Sequence, residues 1–130
     1  MALLKKALLI EDYPICLASE KAILEDAGFQ VDVAPNATQG LDLLNEADLE
    51  ELLPPYYIIF VDINLPDMQG DVIAEIVQQT STAERKVPIV AVTAYTGEKH
   101  NARYFAKGIS DIIEKPLTHE KLQKILKKYS

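Results

Sequence analysis

Four short apolar runs, Ala7-Leu8-Leu9-Ile10, Ile58-Ile59-Phe60-Val61, Pro88-Ile89-Val90-Ala91-Val92 and Ile112-Ile113, each give way to a polar residue, and stretches of helical periodicity separate them. This alternation constrains the fold more than any other feature. A continuous apolar run bounded by turn residues fits a strand covered on both faces. Strands spaced by helix-length segments must be joined by crossover helices, which makes the sheet mainly parallel. Phe29-Gln30-Val31-Asp32-Val33 alternates as a further strand would. About five βα units result, and the right-handed crossover rule leads to an α/β, flavodoxin-like, doubly wound sheet of five parallel strands. The expected strand order is 2-1-3-4-5, with helices on both faces.

Local signals place the elements. Pro14 suits a helix first turn, Cys16, Leu17, Ile23, Leu24 and Ala27 form its apolar stripe, and Gly28 stops it. Asn36 or Thr38 caps the next helix, which carries Leu41, Leu44 and Leu49 inward before Pro54-Pro55 ends it. Asn45 to Pro55 is acidic and longer than a tight connection needs, so it reads as a surface extension. The third strand, Tyr57 to Val61, is the central one. Leu65 to Gly70 is a turn-rich loop leading into a helix with Val72, Ile73, Ile76 and Val77; Gln78 to Lys86 reads as a loop. Thr96-Gly97-Glu98 starts a polar helix containing Ala102, Tyr104 and Phe105, stopped by Lys107-Gly108. Ile109 to Glu114 is the fifth strand, and a final helix runs from the cap Thr118 to Tyr129. Tyr56, Tyr57, Tyr104 and Phe105 read as core or half-buried packing.

At 130 residues, with 48% hydrophobic and 25% charged residues, the chain reads as a single domain over 1–130, with a core of about 5–129 and no effector domain. No apolar run approaches the ~20 residues that span a bilayer, so no membrane contact and a cytoplasmic location are expected. The net charge of −7 argues against direct nucleic-acid binding, which rewards clustered Lys and Arg. Lys121, Lys124, Lys127 and Lys128 read as a solvated helix face placed favourably near a helix C-terminus. Cys16 is the lone cysteine and reads as a packing residue. His100 and His119 lack Cys or acid partners at metal-ligand spacing and read as surface residues.

In a parallel sheet of this kind, residues just past the carboxyl ends of the strands share one crevice. Glu11-Asp12, Asp62, Thr93 and Lys115-Pro116 occupy those places. Acids, a hydroxyl and an amine together suit a divalent metal and a phosphoryl group. Mg²⁺ takes one or two carboxylates with waters and phosphate oxygens, so Asp12 and Asp62 are the natural direct ligands, and Glu11 acts through a metal-bound water. Asp62, leaving the most hydrophobic strand, is the best nucleophile toward phosphorus. Asn64 offers a backbone carbonyl to the metal, while Thr93 and Lys115 contact phosphoryl oxygens.

Taken together, Leu8-Leu9-Ile10-Glu11-Asp12, Val61-Asp62-Ile63-Asn64-Leu65-Pro66-Asp67-Met68-Gln69-Gly70, Val90-Ala91-Val92-Thr93-Ala94 and Glu114-Lys115-Pro116-Leu117 resemble the receiver domain of two-component response regulators. The resemblance implies Asp62 as phosphoacceptor, Mg²⁺ (or Mn²⁺) on Glu11, Asp12, Asp62 and the Asn64 carbonyl, Thr93 as switch hydroxyl and Lys115 as phosphate-binding lysine. It implies structural roles for Gly70 and Pro116, the latter after a cis peptide. It also implies a histidine kinase or histidine phosphotransfer protein as donor, with no turnover enzyme in this domain, and leaves a homodimer open. The sequence departs from the family pattern at Ile112, where an aromatic switch residue is usual, and at Gln69, Tyr13 and Tyr95. The pattern around the acid pair leans toward a receiver segment of a hybrid histidine kinase. Two rival readings carry less support. A small-molecule phosphohydrolase would want a second acid where Asn64 stands, and flavin or dinucleotide binding would want a glycine-rich loop after the first strand.

Overall fold

The computed structural model describes residues 5–49, 56–80 and 87–129, the side chains of 46–49 and 80 excepted. Among the described residues five strands, β1 (Lys6–Ile10), β2 (Gln30–Ala34), β3 (Ile58–Val61), β4 (Ile89–Thr93) and β5 (Asp111–Glu114), alternate with five helices. The helices are α1 (Pro14–Asp26), α2 (Ala37–Leu49), α3 (Gly70–Thr80), α4 (Glu98–Ala106) and α5 (His119–Leu126). All strand pairings are parallel and the order is β2-β1-β3-β4-β5, as the alternation requires.

The period-2 geometry of strands divides the core into two layers. Leu8, Ile10, Ile59, Val61, Ile89 and Ala91 point to one face, where Ala37 of α2, Ile73 and Ala74 of α3 and Tyr104 of α4 pack. Their neighbours Ala7, Leu9, Ile58, Phe60, Val90 and Val92 point to the other, against Ile23 and Leu24 of α1 and Leu122 and Ile125 of α5. Every residue of β3 and β4 is buried, which explains why those strands show no polar alternation. β2 lies at the sheet edge with a mixed burial pattern.

Most expected boundaries hold; α5 ends at Leu126 with Lys127 as its C-cap, short of the expected Tyr129, and the other differences have local causes. Pro14 opens α1, and Gly28 ends the helical path at φ +98°. Asn36, not Thr38, is the side-chain cap from the expected pair: its Oδ1 accepts from the Gln39 amide at 2.8 Å. α3 continues to Thr80, so Gln78 and Gln79 are helical rather than loop; both are exposed, and polar side chains on the outer face do not end a helix. β5 begins at Asp111 rather than Ile109, because the Ser110 hydroxyl accepts the Ile89 amide at 3.1 Å and turns the chain before the ladder starts. Phe105 is exposed, whereas Tyr104 is fully buried. The expected stop at Pro54-Pro55, the inward place of Leu49, most of the acidic extension over Asn45 to Pro55 and the stretch 81–86 lie outside the described residues.

Candidate functional site

The carboxyl ends of β1, β3, β4 and β5 bring Glu11, Asp12, Asp62, Thr93 and Lys115 together. Backbone bonds fix them in place: the Asp62 amide donates to the Ile10 carbonyl at 2.9 Å, Glu11 to Ala34 at 3.0 Å, and Lys115 to Thr93 at 2.9 Å. Each polar side chain therefore leaves an ordered strand end rather than a free loop. Carboxylate oxygens of Glu11, Asp12 and Asp62 all lie within 4.8 Å of one another. Glu11 and Asp62 are buried, Asp12 is exposed, and Thr93 is buried at the end of β4.

Lys115 is the counter-charge. Its Nζ donates to Glu11 Oε2 at 3.0 Å and Oε1 at 3.2 Å, and lies 3.4 Å from Asp62 Oδ2. Burial opposes its charge, but the Glu11 hydrogen bond and the charges of Asp62 and Glu11 outweigh that and hold the ammonium well above its ordinary pKa. Burial pushes the Glu11 and Asp62 carboxyls up, Lys115 opposes the rise in both, and a neighbouring acid adds to it in each case, Asp62 for Glu11 and Asp12 for Asp62. An all-oxygen donor set with surplus negative charge is what a hard divalent cation fits. The Thr93 hydroxyl oxygen accepts from the Tyr95 amide at 3.0 Å. Asn64 donates its backbone N–H to Asp62 and forms an antiparallel bridge with Gln69, closing the loop after β3.

Gly70 is required sterically: a Cβ there would lie 2.0 Å from the Asp62 carbonyl oxygen. The Gly70 amide also donates to Ile63 at 2.7 Å, so the loop folds back directly on the Asp62 segment. The Lys115-Pro116 peptide is cis, as expected. Ile112 is half-buried and packs on the layer that contains Tyr104. Cys16 is half-buried near the site, and burial pushes its thiol up, consistent with packing rather than reactivity. His100 and His119 are exposed; His119 pairs with exposed Asp26 at 3.0 Å.

Three polar residues of structural weight escaped the sequence reading. Glu20 is buried on α1, its Oε1 without a hydrogen-bond partner among the described residues, and burial followed by the charge of Glu11 pushes its carboxyl up to about 8. The signal was available, since Glu20 stands among the stripe residues Cys16, Leu17, Ile23 and Leu24. Asp71 is buried on α3 and faces Arg103 at 3.4 Å and Lys107 at 3.7 Å on α4. Asp67 accepts from the amides of Ala37 and Thr38 at 2.9 and 2.8 Å and from the Thr38 hydroxyl at 2.6 Å. A cap supplied from so far along the chain leaves no local sequence signal.

Comparison with known proteins agrees with this geometry. Residues 7–127 match the family model for the response regulator receiver domain. The aerobic respiration control sensor protein ArcB of Escherichia coli is 30% identical over 122 residues, which are 94% of this chain and 15% of ArcB. The signal transduction histidine-protein kinase BarA of Shigella flexneri is 28% identical over 120 residues, 92% of this chain and 12% of BarA. The chain thus spans only a small part of these relatives. Among solved structures, the receiver domain of a Pseudomonas aeruginosa sensor histidine kinase, with a magnesium ion coordinated in its active-site cleft, is 25% identical. It superposes with a TM-score of 0.78 over 98% of each chain. With the match running almost end to end and the strand order agreeing, the chain belongs to the response regulator receiver domain family and is a receiver domain of two-component and phosphorelay signalling.

Proposed function

We propose that Asp62 is the phosphoacceptor of this receiver. A carboxylate oxygen of Asp62 attacks the phosphorus of a phosphohistidine on a histidine kinase or histidine phosphotransfer protein. The new O–P bond forms as the N–P bond breaks, and the released imidazole nitrogen takes up a proton from solvent. The observation that carries this reading is the position of Asp62. Its carboxylate ends the fully buried central strand, stands within the three-acid cluster and faces the ammonium of Lys115.

The donor set fits Mg²⁺, or Mn²⁺ in its place, held by Glu11, Asp12 and Asp62 with the Asn64 carbonyl. An ion held there would supply positive charge that offsets the carboxylates and the incoming phosphoryl oxygens. Glu11 and Asp12 would hold it, and Lys115 turns from Glu11 toward the phosphoryl group, neutralising its charge. The Thr93 hydroxyl donates to a phosphoryl oxygen and so registers whether Asp62 is modified. Gly70 and Pro116 shape the two loops that flank the site.

The chain is one domain over 1–130, with a core of about 5–129, that receives phosphoryl groups in the cytoplasm. The name of a further matching relative, the hybrid signal transduction histidine kinase L of Dictyostelium discoideum, favours a receiver segment of a hybrid histidine kinase as its setting. Exposure to acetyl phosphate with Mg²⁺ is expected to give one acid-stable, base-labile phosphoryl adduct, read by intact-mass spectrometry. Asp62→Asn is expected to abolish it; labelling of that variant at the parent's level would show that the nucleophile lies elsewhere.

A further inference from the structure

The Thr93 hydroxyl is the first member of a polar chain that leaves the site and enters α4. Its oxygen accepts from the Tyr95 amide at 3.0 Å, and the Tyr95 carbonyl accepts from the Tyr104 phenol at 2.8 Å. Tyr104 is fully buried, and its hydroxyl is also a neighbour of the Thr93 side chain. A buried phenol needs a hydrogen-bond acceptor, so the place of α4 is tied to the conformation of the turn between β4 and α4. Ile112, across the same layer, has no polar atom with which to do this.

A second device also holds α4. Asp71, with no measurable exposure of its side chain, faces Arg103 and Lys107 of α4. Arg103 also lies over the Tyr104 ring, 5.3 Å from its centroid. α4 is therefore fixed at two points, one that depends on Thr93 and one that does not.

We propose that Tyr104 is the residue that reads Thr93: its phenol positions α4 while the Thr93 hydroxyl holds Tyr95, and yields when that hydroxyl turns to a phosphoryl group. Rotation of Thr93 Oγ1 toward Asp62 takes the acceptor away from the Tyr95 amide. The Tyr95 peptide follows, its carbonyl leaves the phenol, and Tyr104 must find a new acceptor. α4 then swings about the Asp71 ion pairs. The switch is thereby carried by a helix residue, with Ile112 of β5 a passive packing neighbour. This proposal rests on Asp62 as phosphoacceptor.

The test uses beryllofluoride with Mg²⁺ as the phosphoryl mimic. Adduct formation is followed by fluorine NMR, and the response of α4 by backbone amide shifts at Arg103, Phe105 and Lys107. In the parent the adduct is expected to form and these amides to move. Tyr104→Phe keeps the ring and removes only the hydroxyl; it is expected to bind the mimic within about twofold of the parent while the α4 displacements fall at least threefold. Thr93→Ala is expected to cause the same fall, the double substitution no further fall, and Ile112→Val none. A phenol of purely structural value would lower the unfolding midpoint of Tyr104→Phe and leave the displacements intact, and that result overturns the proposal. So do additive losses in the double variant, or loss of the response in Ile112→Val. Failure of the parent to form any adduct overturns the Asp62 reading along with this one, whereas an adduct with undiminished α4 displacements in Tyr104→Phe overturns this one alone.

Discussion

Glu20 shows how much a single buried side chain can cost. It lies on the inner side of α1, Oε1 has no partner among the described residues, and its carboxyl is pushed up to about 8 by burial and by the charge of Glu11. The sign of the consequence follows from linkage: between the ordinary value of 4.5 and about 8 the folded chain binds more protons than the unfolded one, so stability falls as pH rises across that window. Each tenfold change in proton affinity corresponds to ~1.4 kcal/mol, which makes the burden on the order of a few kcal/mol at pH 8. Glu20→Gln, neutral at every pH, is expected to match the parent at pH 4 and to exceed it by about 2 to 4 kcal/mol at pH 8. Urea unfolding across pH 4 to 8 checks this; a difference that does not grow with pH would mean that Glu20 finds a compensating partner. Lys115, nearby, is spoken for by Glu11 and Asp62 in this state.

Among the elements, α2 depends on a residue outside itself. Asp67, in the loop after β3, receives hydrogen bonds from the Thr38 hydroxyl and the amides of Thr38 and Ala37, and these hold its carboxyl down to about 2. The ionised form is the one that caps, so the contribution is present above the ordinary value of 3.8 and is lost as pH falls through about 2. Asp67→Ala is expected to speed hydrogen exchange at the Ala37 and Thr38 amides at least tenfold while leaving α1 and α5 unchanged; uniform protection would deny the cap. This contact also marks where sequence legibility stops. β1, β3 and β4 were legible because strands covered on both faces must be apolar throughout, and the site was legible because parallel topology sends their polar successors to one edge. Glu11, Asp12, Asp62, Thr93 and Lys115 follow from that rule. Asp67, Asp71 and Tyr104 do not: Asp67 and Asp71 act across elements distant in sequence, and Tyr104 bonds a turn whose path only the folded chain sets, so nothing local distinguishes a capping Asp67 from a loop acid, or Tyr104 from an ordinary core aromatic. The end of α3 and the start of β5 were misplaced for a related reason, because exposed glutamines say little about helix length and a serine hydroxyl can replace a ladder bond.

At the scale of the whole molecule, the two apolar layers meet across the sheet and leave its carboxyl edge as the place where charge collects. The fold is held mainly by those layers, so the acidic edge adds repulsion that Lys115 only partly offsets: three carboxylates face one ammonium. The charge of Asp12 contributes to raising the carboxyl of Asp62, after burial and against the effect of Lys115. A ligand that binds the folded chain and not the unfolded one stabilises it by RT ln(1 + [L]/Kd), about 2.7 kcal/mol at a hundredfold excess over Kd. For a domain of this size that is a rise of ~5 to 15 °C in the unfolding midpoint. Mg²⁺ is therefore expected to raise the midpoint in a concentration-dependent way, in the absence of any phosphoryl donor. Asp12→Asn removes a ligand and a repelling charge together, so the metal-free variant is expected to melt at or slightly above the parent, while the increment from Mg²⁺ falls by more than half. Calorimetry of both chains with and without the ion separates the two effects. Equal increments in the parent and the variant would mean that the ion acts by general screening of a chain whose net charge is −7, and a parallel titration with NaCl at matched ionic strength distinguishes screening from a site built by the strand ends.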